Sequence, residues 1–281
     1  MSVTTEPVRI TTLVENTAGL SGTLGEHGLS FWLETASWRV LFDTGAGTVL
    51  ESNARALDVD LTQADAIVLS HGHYDHTGGL VVARQAAPCT KVFLHPAAFA
   101  PKYARMQDGA NRYIGAPSEG MDAARQEDGV MISTNGPTEV ADGLFVTGEI
   151  PRVTDFEDTG GPFFLDEDCE HPDPLVDDQA LFFESPRGTV VVLGCAHAGV
   201  INTLHYIRRL TKDRPLHAVL GGLHLVSATE ERIARTVEAL RGFDIDHLGI
   251  AHCTGFEATG ALLTGFPGKC RPCKVGTVME S

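Results

Sequence analysis

Basic residues are scarce in this chain. Among 281 residues, 21 Lys and Arg stand against 37 Asp and Glu, a formal charge of −16 at pH 7. That deficit argues against a general affinity for nucleic-acid backbones or anionic lipid surfaces, both of which reward clustered cations. An anionic substrate would need local attraction, which a bound metal can supply. Cysteine is also sparse: Cys89, Cys169, Cys195, Cys253, Cys270 and Cys273 are too few for a disulfide scaffold in so long a chain, so reduced thiols are expected. No apolar run approaches a membrane span. The start, Met1 to Arg9, lacks the basic opening and apolar core of a signal peptide. A cytoplasmic protein with no nucleic-acid or membrane partner is expected, with a homodimer allowed. The 43% hydrophobic content suits one large domain over residues 1–281.

Strand-like runs of Val, Ile, Leu and Phe recur at 8–14, 30–34, 39–42, 66–69, 91–94, 144–147, 180–184, 190–193, 218–220 and 248–250. Helical spacing marks 48–56, 78–86, 200–210 and 229–241. The order, strands followed by alternating strand and helix, occurs twice, and the run from Arg39 to Gly47 parallels that from Gly188 to Gly199. Two similar halves, as two packed sheets with helices outside, would bury such a pattern. Two segments break the rhythm, Pro96 to Gly136 and the acidic, Pro- and Gly-rich Arg152 to Asp178. Both read as long excursions near or over a site.

The densest chemistry lies in His71-Gly72-His73-Tyr74-Asp75-His76, between the apolar run 66–69 and the helical pattern opening at Thr77-Gly78-Gly79. Imidazole and carboxylate are ligands that a borderline metal such as zinc accepts, and one tight turn can serve two adjacent ions. His197 and His252 also follow buried-looking strands, where α/β folds assemble sites, and complete a ligand set. His224, in Gly221-Gly222-Leu223-His224, is expected to contact substrate or transfer a proton. Asp43, ending a strand, either fixes a ligand imidazole or caps a helix. Cys270 and Cys273 have the spacing of half a zinc or redox site, but no second pair is present and a plain structural role is expected. His27, His95, His171, His205, His217 and His247 lack such context and are assigned to packing or solvent.

Together, the His71–His76 motif, Asp43 upstream and histidines after later strands resemble the metallo-β-lactamase superfamily over nearly the whole chain. The runs Leu41 to Gly45, Gly194 to Gly199, Gly221 to Leu225 and His252 to Gly255 most resemble its dihydropterin (ribofuranosyl)aminobenzene phosphate synthase branch. The resemblance implies an αββα sandwich, two mixed sheets face to face with helices on both outer sides and metals at one sheet edge. It also implies a histidine near Glu149, within Thr147 to Arg152, and a bridging aspartate where Cys195 stands. His197 is then the substitute imidazole, with Glu149 or Cys195 as ligand or pocket wall. The first ion would use His71, His73 and His197, and the second Asp75, His76 and His252.

These expectations lead to metal-assisted hydrolysis or phosphoryl or pterin-phosphate transfer on a small anionic molecule, with zinc in two sites, one of them weak. Iron and manganese also fit such a donor set. Asp75 or His224 would move protons, and Arg152, Thr254 and the segment Lys102 to Arg112 would meet the substrate. Two rival readings are an iron-dependent oxidoreductase, disfavoured by His73 where a carboxylate suits di-iron chemistry, and a non-catalytic ligand sensor with an impaired site.

Overall fold

The computed structural model describes residues 6–125 and 130–281. Residues 1–5, at the front of the N-terminal stretch read above, and 126–129, inside the first excursion, lie outside it. The strands are β1 (Arg9–Val14), β2 (Ser30–Glu34), β3 (Arg39–Phe42), β4 (Ala66–Val68), β5 (Lys91–Leu94), β6 (Tyr103–Arg105), β7 (Asn111–Tyr113), β8 (Met131–Ser133), β9 (Thr138–Ala141), β10 (Leu144–Val146), β11 (Phe163–Phe164), β12 (Ala180–Ser185), β13 (Gly188–Leu193), β14 (Leu216–Gly222), β15 (His247–Ala251), β16 (Cys270–Pro272) and β17 (Val278–Glu280). The α-helices are α1 (Leu50–Ala56), α2 (Tyr74–Thr77), α3 (Leu80–Ala86), α4 (Ser118–Ala124), α5 (Val200–Leu210), α6 (Glu230–Arg241) and α7 (Phe256–Gly265).

Two seven-stranded sheets run β17-β1-β2-β3-β4-β5-β8 and β16-β15-β14-β13-β12-β10-β9, and a three-stranded sheet runs β11-β6-β7. The internal similarity falls at equivalent places. β3 is antiparallel to β2 and parallel to β4, while β13 is antiparallel to β12 and parallel to β14. Each repeated run therefore opens with the strand at which its sheet changes from antiparallel to parallel pairing.

Side-chain alternation explains the layers. Val190 and Val192 of β13 join Phe31, Val40 and Phe42 in the core between the sheets, while Val191 and Leu193 face Leu204 of α5 and Val237 of α6. A strand buried on both faces reads as a continuous apolar run, as Thr189 to Leu193 does. On the other outer face Trp32, Leu41 and Ile67 pack against Leu50 of α1 and Leu80 of α3. The result is the αββα sandwich. No helix among the described residues is long and apolar enough to cross a membrane.

The ten strand-like runs and four helical patterns all form such elements, with ends displaced by no more than two residues. The excursions are more structured than their sequence shows. The first contributes β6, β7, α4 and the edge strand β8, and the second contributes β11, which pairs with β6. Strands of two or three residues are too short to display alternation.

Candidate metal centre

Parallel strands deliver their C-terminal ends to one edge, so Asp43 after β3, His71 after β4, His197 after β13, His224 after β14 and His252 after β15 converge. The turn after β4 is tightly held. Gly72 donates its N–H to Asp177 Oδ2 at 2.8 Å, and a Cβ there would meet the Ala98 carbonyl oxygen at 1.8 Å, so only glycine fits between the two histidines. Tyr74 N–H reaches Ile114 O at 2.9 Å, fastening the first excursion to the turn.

Asp43 organises two ligand candidates rather than capping a helix. Its Oδ1 accepts the Ser70 N–H at 2.7 Å, and its Oδ2 accepts the Ser70 hydroxyl and His76 Nδ1–H, each at 2.7 Å. Ser70 Oγ in turn takes His71 Nδ1–H at 2.9 Å. Both imidazoles thus present Nε2 to the site, the tautomer control that supporting partners give to metal-binding histidines. His71 Nε2 lies 3.0 Å from His73 Nδ1. His197 donates Nδ1–H to Thr159 O at 2.8 Å, and its buried Nε2 has no hydrogen-bond partner. One nitrogen each from His71, His73 and His197 lies within 4.8 Å of the other two.

A second group sits beside the first. His252 is held by Glu15, which accepts its backbone N–H at 2.8 Å, and by Asn16 Oδ1 at 2.8 Å from Nδ1. Its Nε2 is left facing Asp75 Oδ2 at 3.2 Å. His27 Nε2 lies 3.2 Å from the same oxygen, and His76 Nε2 3.8 Å from it. Cys195 Sγ is 3.1 Å from His76 Nε2, and ligand atoms of Cys195, His252 and Cys253 fall within 4.8 Å of one another.

The electrostatics suit a cation. Burial, with neighbouring imidazoles, holds His71 and His197 well below the usual imidazole range, and burial does the same for His73. The neutral form they keep is the form that ligates. Burial alone would also lower His76, but the Asp43 and Asp75 carboxylates outweigh it and raise it to about 9. Those carboxylates therefore demand positive charge at this spot, whether a proton or a divalent ion. An imidazole lone pair opposite a carboxylate oxygen, as at His252 and Asp75, is favourable only with a shared cation or proton between them. By donor chemistry and by the unpartnered His197 Nε2, the residues fit a metal. Asp43, Ala196, His224 and His252 also hold positive φ of 57°, 55°, 43° and 51°, backbone strain of the kind that clusters at functional sites.

The second excursion covers this edge. Phe163 packs across His73, His197 and His224 with ring centroids 5.1, 5.3 and 5.8 Å apart, and Glu157 anchors the segment by accepting the N–H groups of Ile201 and Asn202 at the start of α5. Gly160, at φ +86°, lies so close to His224 that an added Cβ would stand 2.1 Å from its Cδ2. Gly160→Ala combines that clash with left-handed strain. It is expected to destabilise the protein by about 1–3 kcal/mol, read as a lower denaturant midpoint at unchanged slope.

Several expected contacts are not where the sequence suggested. Glu149 is exposed and belongs to none of the metal-capable groups among the described residues. Arg152 is exposed and donates to Pro174 O at 2.9 Å, tying down its own loop. Thr254 is buried, donating to Ala251 O and accepting Leu223 N–H, so it braces two strand ends. Lys102 is buried between Asp173 and Asp177 and has no charge to spare for a ligand. Asp75, whose charged form three imidazoles favour, is held well below the usual carboxylate range against the effect of burial, which makes it a weak base. Cys270 and Cys273 lie at β16, away from the centre, and burial pushes them up to about 11 and about 12.

His27 and Cys253 join the site although His27 was assigned to packing or solvent. A topological signal existed for His27: β1 and β2 are antiparallel, so the segment joining them returns to the edge where β3 ends at Asp43. Two more residues went unread. A cavity of about 570 Å³ opens beside His224, lined in part by Phe156, Thr159, Gly160, Arg232 and Arg235. Arg232 pairs with Asp158 and Arg235 with Asp155, each at 2.6 Å.

Residues 25–249 match the family described as the metallo-beta-lactamase superfamily. A 7,8-dihydropterin-6-methyl-4-(beta-D-ribofuranosyl)-aminobenzene-5'-phosphate synthase of Methanocaldococcus jannaschii is 29% identical over 275 residues, covering 92% of each chain. An uncharacterized protein of the same organism is 33% identical over 248 residues, 88% of this chain and 90% of its own. A crystal structure described as a metal-dependent hydrolase of the beta-lactamase superfamily superposes with a TM-score of 0.82 at 30% identity, covering 98% of this chain and 99% of the other. With sequence, topology and the histidine-rich edge in agreement, this chain belongs to the metallo-β-lactamase superfamily.

Proposed function

We propose that the protein is a metal-dependent hydrolase of a small anionic molecule, a phosphate ester being the favoured class. The observation that carries this reading is the convergence of His71, His73 and His197 beside a second group in which His27 and His252 flank Asp75 and His76 Nε2 lies 3.8 Å from Asp75 Oδ2, next to a cavity of small-molecule size. These residues would hold the divalent ions, with zinc the best match to the imidazole-rich set. Such an ion supplies Lewis acidity to an electrophile and to water. His224, half-buried with Nδ1 lacking a partner, is the residue placed to hold or deliver a proton at the cavity. Arg232 and Arg235 line the cavity but are already paired with Asp158 and Asp155, so attraction of the anionic group would fall mainly to the bound ions, and Phe163 over the imidazoles would limit water.

The name of the methanogen relative supports a second reading, in which a group is transferred to an acceptor other than water. A panel of phosphomonoesters, phosphodiesters, lactones, thioesters and lactams, assayed with zinc-reconstituted protein in 18O-labelled water, separates them. Turnover with label in the product is the expected result. Turnover that requires a second organic substrate and leaves the product unlabelled would favour transfer. If no panel member reacted and His71→Ala altered only ligand affinity, the catalytic reading would fall and a sensor would replace it.

A further inference from the structure

Arg232 of α6 is nine-tenths buried, yet its ion-pair partner on the second excursion, Asp158, is 76% exposed. We propose that Asp158 is an internal stand-in for a ligand: Arg232 receives a second, remote phosphate group of the substrate, which enters the cavity and takes the place of the Asp158 carboxylate. The substrate class is then a molecule with two anionic ends, one reacting at the ions and one held on α6. The inference rests on the reading of this cavity as the substrate site.

The donor geometry is half used. Arg232 lines the cavity that also holds His224, and it meets Asp158 Oδ1 through Nη1 alone, at 2.6 Å. Its Nε is buried and has no hydrogen-bond partner. A guanidinium offers Nη and Nε as a side-on fork for two oxygens of one anion, and such paired contacts are stronger and more specific than a single one. Gly160 donates its N–H to the same Oδ1 at 2.9 Å, so two donors already converge on one oxygen position while a third stands idle. A phosphate group has oxygens enough for all three.

The unequal burial makes exchange cheap. An exposed carboxylate gains little from its ion pair because water solvates it when free, whereas a buried guanidinium without an anion is strongly disfavoured. Exchange strands neither charge: Asp158 returns to water and Arg232 stays paired. Arg235 differs, being 44% exposed, stacked 4.4 Å over the Phe156 ring and paired with the exposed Asp155, so it forms a screened surface contact. The tethered Asp158 competes at an effective concentration on the order of millimolar. A free monocarboxylate brings no advantage over it, while a dianionic phosphate brings twice the charge.

The test is equilibrium dialysis of chelator-stripped, full-length protein against inorganic phosphate, with acetate as the comparison, so that no metal ion contributes to binding. Wild type should bind phosphate and not acetate. Asp158→Asn should bind phosphate about three- to fivefold more tightly, since an exposed competitor has gone, and Arg232→Lys at least about tenfold more weakly. Glu231→Gln removes another exposed carboxylate from the same cavity and should change affinity much less. Equal gains in Asp158→Asn and Glu231→Gln would replace exchange by a simple effect of net charge and overturn the proposal. So would phosphate that binds neither wild type nor Asp158→Asn, phosphate affinity unmoved in Arg232→Lys, or acetate bound as tightly as phosphate. Should Arg232→Lys not fold, the comparison of Asp158→Asn with Glu231→Gln decides, since both change exposed side chains. Phosphate exchange in the stripped protein with no turnover in the substrate panel would sink the hydrolase reading alone, and turnover without exchange would sink the Arg232 assignment alone.

Discussion

His71→Ala is expected to release one divalent ion from the protein and reduce turnover to near background, while leaving the sandwich folded. The imidazole has no exposed surface, and its Nε2 lies 3.0 Å from His73 Nδ1 and in the same group as the His197 donor. Removing it leaves two nitrogens where three converged. Loss of a mere supporting partner lowers metal affinity about 10–100-fold, so loss of a ligand should exceed that range. Asp43→Asn provides the internal calibration, because Asp43 touches the site only through Ser70, His71 and His76. Its affinity loss should fall within the 10–100-fold range, clearly smaller than that of His71→Ala. Metal analysis after equilibrium dialysis, together with urea unfolding of both variants, checks the order. Equal metal content in His71→Ala and wild type would remove His71 from the ligand set.

How much of this was legible in the sequence depends on how local the signal is. The turn His71 to His76 is a run of six residues, so its spacing announces itself. Asp43, His197 and His252 each follow a long apolar strand, and strand ends are readable once strands are. His27 could not be found that way, because only the antiparallel pairing of β1 with β2 returns its loop to the metal edge. The same limit applies to the charged residues. Lys102 and Arg152 looked available because sequence displays charge but hides the partner, and here the partners are Asp173, Asp177 and the Pro174 carbonyl. Arg232 and Arg235 lie within a helical pattern that carries no sign of the cavity the second excursion forms beside them. Glu149 differs for a related reason: position in a family pattern does not fix orientation, and here the Glu149 side chain is exposed while Thr147 and Ile150 on either side are buried.

The three-stranded sheet joins these points. β6 and β7 come from one excursion and β11 from the other, so the two segments that broke the strand–helix rhythm form a single cover. Its underside supplies Thr159, Gly160 and Phe163 to the histidine cluster. Its attachment to the sandwich runs through Tyr74 N–H to Ile114 O and through the buried Lys102.

That attachment makes Lys102→Met the substitution with the largest expected effect on stability. Lys102 Nζ lies 2.8 Å from both Asp173 Oδ2 and Asp177 Oδ1, and all three side chains are within a few per cent of full burial. Taking charges out of water is costly, and breaking such a group from one side leaves the carboxylates uncompensated, a loss of about 3–5 kcal/mol. At this chain length the corresponding fall in Tm is roughly 6–15 °C. The loss should also depend on pH in a definite direction. Burial already pushes Asp177 above the usual carboxylate range despite the pull of Lys102, and without the ammonium it must rise further. A carboxyl whose folded pKa exceeds its unfolded one binds more protons in the native state, so stability falls as pH rises through that window. The deficit of Lys102→Met relative to wild type should therefore be largest near neutral pH and shrink toward pH ~5. Pairing Lys102→Met with Asp173→Leu should recover part of the stability, since an apolar replacement removes one stranded charge. The Asp177 bond to Gly72 N–H survives in that double variant, so its metal binding should recover along with its fold. A deficit that grew on acidification would mean that the triad does not carry the charges assigned to it.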